Sequence, residues 1–206
     1  MGTDDLFRKK RDSVDLKRRQ FNKGKKRDVV LIVCEGSKTE PLYFNGFKLV
    51  NVKIKGRGYN SDSLVELAIR EKGKAIRNKE PFDQIWCVFD RDSCPRDNFN
   101  NAFILAKQNK INTAYTNEAF ELWYLLHFNF YDSAMSRTQY SDKLSELLQF
   151  KYEKNNSDMY NILLPLQKNA IQNATKLLGQ YPHLNPERDN PSSTVHELVC
   201  YLNQWV

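Results

Sequence analysis

The 206-residue chain has no apolar run long enough to cross a bilayer. Its longest, Val29 to Cys34, suits a buried strand and falls far short of the roughly 20 residues a membrane helix needs. It opens MGTDDLFRKKRD, with early acids and no apolar h-region, which argues against a secretory signal. Leu6 stands where the myristoylation pattern requires Ser or Thr, so lipidation at Gly2 is rejected. Cysteine is sparse: Cys34, Cys87, Cys94 and Cys200 form no C-x-x-C pair, and their spacing offers no zinc site. Cys34 and Cys87 lie in apolar runs, where a free thiol behaves as a small hydrophobe. These absences predict a cytoplasmic protein with reduced cysteines and no membrane contact. There is no internal repeat.

What is present is enough for a core. Hydrophobic residues make up 40% and aromatics 12%, which excludes wholesale disorder. A chain of this length folds without a disulfide or metal staple. The net charge of +7 is unevenly placed. Residues 8–27 hold 11 Lys or Arg against two Asp, and the chain beyond residue 27 is neutral, with 21 bases and 21 acids. The basic residues are Arg8, Lys9, Lys10, Arg11, Lys17, Arg18, Arg19, Lys23, Lys25, Lys26 and Arg27. Residues 1–27 therefore read as a basic flexible arm suited to a polyanion, of which nucleic acid is the commonest. A solubilising leader is the plainer reading of the same run.

Along the rest of the chain, apolar strand runs alternate with helical periodicity. Val29 to Cys34, Asn51 to Lys55, Asp83 to Phe89 and Ile111 to Thr116 read as strands. Helices are expected after each: from Thr39, from Ser61, over 98–109 and over 118–128. Four strand–helix units predict an α/β fold, a mainly parallel four-stranded sheet with helices on both faces. No strand signal follows Arg137; helices are expected over 141–150, 160–179 and 193–205, a C-terminal helical extension. The expected organisation is an arm over 1–27, an α/β domain over 28–133 and the extension over 134–206, packed on it.

Ligands of open α/β sheets bind beyond the carboxyl ends of the strands. Glu35 follows the first strand, and Asp90 and Asp92 follow the third. If those strands are neighbours, three carboxylates converge and repel one another. A hard divalent cation, Mg²⁺ or Mn²⁺, relieves the conflict and can bridge a phosphate. Gly36 lets backbone approach a ligand, and Lys38 can reach a phosphate at the helix start. The bland alternative is that acids after strands merely cap helices. Glu40 is either an outer acid of this site or a first-turn acid that complements the helix dipole. Glu118 and Glu121, three apart, either enter the same cleft or form an acidic first turn. His127 is expected as a structural helix-end cation. His196 lies in a Thr194–Glu197 capping-box pattern, with a phosphate contact as its functional reading. Trp123 to Leu126 read as core.

Four stretches carry a resemblance. Val33 to Phe44 reads V-C-E-G-x-x-T-E-x-x-Y-F. Phe89 to Asp92 reads F-D-R-D. Asn117 to Phe128 reads N-E-x-F-E-x-W-x-L-L-H-F, and Asn190 to Val199 reads N-P-S-S-T-V-H-E-L-V. Together they resemble the RloB family, found beside restriction–modification and abortive-infection genes. The first two are also similar to the Toprim fold of topoisomerases, primases and OLD-type nucleases, with its glutamate after the first strand and D-x-D after a later one. The resemblance implies metal ligands at Glu35, Asp90 and Asp92, with Glu121 favoured as functional. It also implies a metal-dependent nuclease in phage defence, often with a partner ATPase encoded nearby. Two rivals stay open: a non-catalytic nucleic-acid-binding or ATPase-regulating subunit, and a haloacid-dehalogenase-like phosphatase built on the D-x-D.

Overall fold

The computed structural model describes residues 27–56, 58, 61–91 and 96–206. The basic arm up to Lys26, together with Asp92 and Cys94, lies outside them.

Five strands form one sheet in the order β2-β1-β3-β4-β5. They are β1 (Val30–Cys34), β2 (Val52–Gly56), β3 (Gln84–Asp90), β4 (Asn112–Asn117) and β5 (Ser192–Ser193). The first four pair in parallel, and β5 adds antiparallel to β4. The helices are α1 (Thr39–Asn45), α2 (Ser61–Arg77), α3 (Arg96–Gln108) and α4 (Glu121–Phe128), then α5 (Arg137–Leu148), α6 (Met159–Leu163), α7 (Gln167–Leu178) and α8 (Val195–Leu202).

All five residues of β1 are buried, because the sheet is covered on both faces. Val30, Ile32 and Cys34 join one core cluster with Trp86, Val88 and residues of α1, α4, α7 and α8. Leu31 and Val33 join a second with Ile85, Cys87, Phe89 and residues of α2 and α3. Strand alternation thus splits each apolar run between two cores.

Several expectations are corrected. The sheet has five strands, not four, and the fifth comes from the region past Arg137 in which no strand is expected. Ser192 and Ser193 are too short and too polar to advertise a strand; the bond between Thr116 Oγ1 and Ser193 Oγ, 3.3 Å, helps dock them. The helix expected over 160–179 is broken: Leu164–Leu166 form a 3₁₀ turn around Pro165, which supplies no N–H to the preceding turn. The helix expected over 118–128 starts only at Glu121. The capping box at the last helix is absent, since Thr194 Oγ1 instead accepts the Tyr115 N–H at 3.0 Å. Thr39 is the first residue of α1, and Lys38 occupies the cap without a side-chain hydrogen bond.

Gly46 ends α1 with ordinary helical torsions, φ −59° and ψ −25°, so its glycine is not demanded by the backbone. A Cβ there would collide with Cβ and Cγ of Tyr160. At a position with open space, Gly→Ala in helical torsions stabilises by about 0.4–1 kcal/mol. Here the overlap should win, and Gly46→Ala is expected to cost about 1–3 kcal/mol. Urea unfolding midpoints check this; a raised midpoint would show that α1 and α6 do not pack as described.

Candidate functional site

Register sets the site. Cys34 is paired with Val88 across β1 and β3, so Glu35 leaves β1 beside the end of β3. The Glu35 N–H donates to the Val88 carbonyl at 2.9 Å, and Glu35 Oε2 accepts the Asp90 N–H at 3.2 Å. Asp90 keeps the strand parity of Trp86 and Val88 and so faces the α1 and α4 side of the sheet. There a cleft of about 380 Å³ is lined by Glu35, Gly36, Lys38, Glu40, Asp90, Glu121, Arg137 and Lys154, among others.

Glu40 is buried in the first turn of α1, and its Oε1 accepts the Gly36 N–H at 3.2 Å. A Cβ on residue 36 would run into that carboxylate, so glycine here permits the turn to close on Glu40. The Gly36 amide that the sequence offers to a phosphate is therefore engaged by protein. Glu121, also buried, accepts from the Tyr152 hydroxyl at 3.1 Å and lies 3.7 Å from Lys154 Nζ. Asp90 Oδ2 lies 3.6 Å from Arg137 Nη2, while buried Asp90 Oδ1 has no hydrogen-bond partner.

Burial, then the charges of Glu40, Glu121 and Glu35, holds the Asp90 carboxyl well above its ordinary range against the pull of Arg137. Burial and the Glu121 charge likewise raise Glu40, opposed by its backbone hydrogen bonds and Lys154. Beneath them Cys34 is pushed up by burial and by Glu40 and Asp90, so it stays a thiol and supplies no thiolate ligand.

The structure thus brings Glu35, Asp90, Glu40, Glu121 and Lys38 to one cleft. Lys38 is exposed at its rim. Glu118 is not part of the lining: it is half-buried in the turn before α4, so it does not share a helix face with Glu121. His196 is buried at the start of α8, outside the cleft, and burial lowers its pKa, which leaves no cation for a phosphate. His127 is a structural residue but not a cation: burial lowers it to about 4, and its Nδ1 pairs with the Trp123 carbonyl. Trp123 to Leu126 are core.

Arg137, Tyr152 and Lys154 are additions that sequence reasoning missed. Arg137 is the first residue of α5, behind a Ser136–Gln139 capping box, and the 151–158 loop supplies the other two. Nothing in their local sequence marks them, because their role arises only when the C-terminal helices fold over the strand ends.

Among the described residues, no group of three or more His, Cys, Asp or Glu side chains is close enough to hold a metal ion. Glu35 and Asp90 do fit a cation that needs few protein ligands. Their donors are all oxygen, and the buried Asp90 Oδ1 is orphaned. Mg²⁺ is commonly held by one or two carboxylates, with water and substrate phosphate completing its shell.

A family model described as RloB-like protein matches residues 30–202. No curated protein matches the chain. No solved structure matches it.

Proposed function

The chain belongs to the RloB-like protein family, and we propose that its acidic cleft hydrolyses phosphodiester bonds of nucleic acid with Mg²⁺ or Mn²⁺, as a Toprim-type nuclease in anti-phage defence. The observation that carries this reading is the orphaned, buried Asp90 Oδ1 beside Glu35 at the carboxyl ends of adjacent parallel strands. A buried carboxylate oxygen without a partner is costly unless a ligand satisfies it. Asp92, two residues on, is the third ligand of the proposal.

A bound divalent cation supplies Lewis-acid polarisation of a phosphoryl oxygen. The chain's own residues do the rest. Glu35 fixes the β3 terminus by accepting the Asp90 N–H, which orients the Asp90 carboxyl into the cleft. Glu40, protonated more readily than an exposed glutamate, can hold or release a proton at the cleft wall. Lys38 at the rim offers a cation to a phosphate of the same strand. Tyr152 and Lys154 orient the Glu121 carboxylate.

A second reading has its own support. Arg137 and Lys154 already lie against Asp90 and Glu121, as they would in a site that stores no catalytic metal. That reading is a nucleic-acid-binding or ATPase-regulating subunit without turnover. Incubation of the purified protein with plasmid DNA and with total RNA separates the two. The nuclease reading expects cleavage with Mg²⁺ or Mn²⁺ and none in EDTA; binding of nucleic acid with no product under any metal supports the subunit.

A further inference from the structure

We infer that the opposite end of the sheet, where α1, α2 and α3 terminate, is a docking surface for the phosphate backbone of duplex nucleic acid. This goes beyond the acidic cleft and does not depend on it.

Parallel topology brings the strand starts and the helix ends to one edge. After α1, α2 and α3 the chain turns through Lys48, Lys79 and Lys110, all with left-handed torsions, φ 53°, 60° and 53°. Lys79 and Lys110 sit in matching helix stops. Their N–H groups donate to Ile76 and Lys107, and the next residues donate back to Ala75 and Ala106. Such positions favour glycine or asparagine. Lysine stands at all three, each exposed and without a carboxylate partner among the described residues. The other left-handed non-glycine, Gln149, ends α5 and is uncharged.

Two clefts, of about 720 and 520 Å³, lie at this end and share Phe82 and Asp83. The first is lined by Lys53, Lys74 and Lys79, the second by Lys72, Lys107 and Lys110. The acids nearby are mostly engaged by protein: Asp83 accepts the Val29 N–H, Asp28 the Tyr201 hydroxyl, and Glu71 pairs with Lys55 and Lys74. Glu80 is the exposed exception. Arg27 lies at the same edge, three residues ahead of β1, and the sequence before it is basic.

Clustered lysines around grooves, with matching charge in the adjoining chain, suit a regular array of phosphates. An anionic membrane fits less well. The exposed apolar residues near this edge are Val29, Val50 and Ile76, none of them an aromatic that would enter a headgroup layer. Strands of five to seven residues separate this edge from the acidic cleft by roughly 20 Å.

The test replaces Lys48, Lys79 and Lys110 together by Asn in the full chain. Asn removes the charge and accepts left-handed torsions, so the variant should melt no lower than wild type. Binding of a fluorescent 30-base-pair duplex is measured by anisotropy in EDTA across a salt series. Each lost phosphate contact lowers the slope of log affinity against log salt by about 0.9, so three lower it by about 2.7. Affinity at about 0.15 M salt should fall tenfold or more. An unchanged slope and affinity in a folded variant overturns the proposal. So does a wild-type protein that binds phosphatidylserine vesicles but not the duplex.

Discussion

Asp90→Asn is expected to abolish metal-dependent cleavage, by well over a hundredfold, while leaving the fold intact. Losing an outer-shell partner of a metal ligand already costs about 10–100-fold, and Asp90 is proposed as a ligand itself. Asn preserves the shape of the side chain and removes its charge, so the β3 terminus keeps its backbone bond to Glu35. The change also removes a carboxyl that burial and three neighbouring acids hold above its ordinary range, so metal-free stability should not fall. Glu35→Gln should act in the same direction, because the amide oxygen can still accept the Asp90 N–H while the anionic charge is gone. Single-turnover cleavage of a labelled duplex, beside a melting curve, checks both. Undiminished cleavage by either folded variant would sink the assignment.

The second large effect is on stability against pH. Asp90 and Glu40 both have native pKa values raised from ordinary values of 3.8 and 4.5. A raised acid binds its proton more tightly in the folded state, so it favours folding at low pH. That contribution is lost as pH climbs from the ordinary value through the raised native one. Each unit of separation is worth about 1.4 kcal/mol. The metal-free protein should therefore lose melting temperature over this window as pH rises, where salt-bridged carboxylates would give the opposite slope. Asp90→Asn should flatten the decline. Mn²⁺ should restore wild type at neutral pH, by about 2.7 kcal/mol at a hundred times its dissociation constant, and restore the variant less. A wild-type melting temperature that rises steadily with pH in EDTA would refute the clustered-acid account.

Much of this arrangement is legible before folding. The apolar runs ending at Cys34 and Phe89 mark doubly covered strands, and an acid directly after each marks the carboxyl edge where ligands bind. Glu35 and Asp90 could therefore be named from spacing alone, and the parallel pairing of β1 with β3 makes them neighbours. What had no local signal was whatever depended on a distant partner. β5 is two serines that become a strand only against Thr116 and Asn117. Thr194 looks like a cap but is drawn to the Tyr115 amide. Arg137 and Lys154 reach the acids only because the helices after residue 134 fold back over the strand ends.

Charge divides most clearly between the two levels. Composition by itself determined that the chain beyond residue 27 is neutral, with equal numbers of acids and bases. Only the tertiary structure decided that this neutral body is polarised. Parallel strands joined by helices send the carboxyl ends of β1 to β4 to one edge and the ends of α1, α2 and α3 to the other. The acids that follow β1 and β3 are thereby gathered with Glu40 and Glu121 at the first edge. Lys48, Lys79 and Lys110, scattered in sequence, are gathered at the second. The physical reason is chain direction, a property of how strands pair rather than of any single segment.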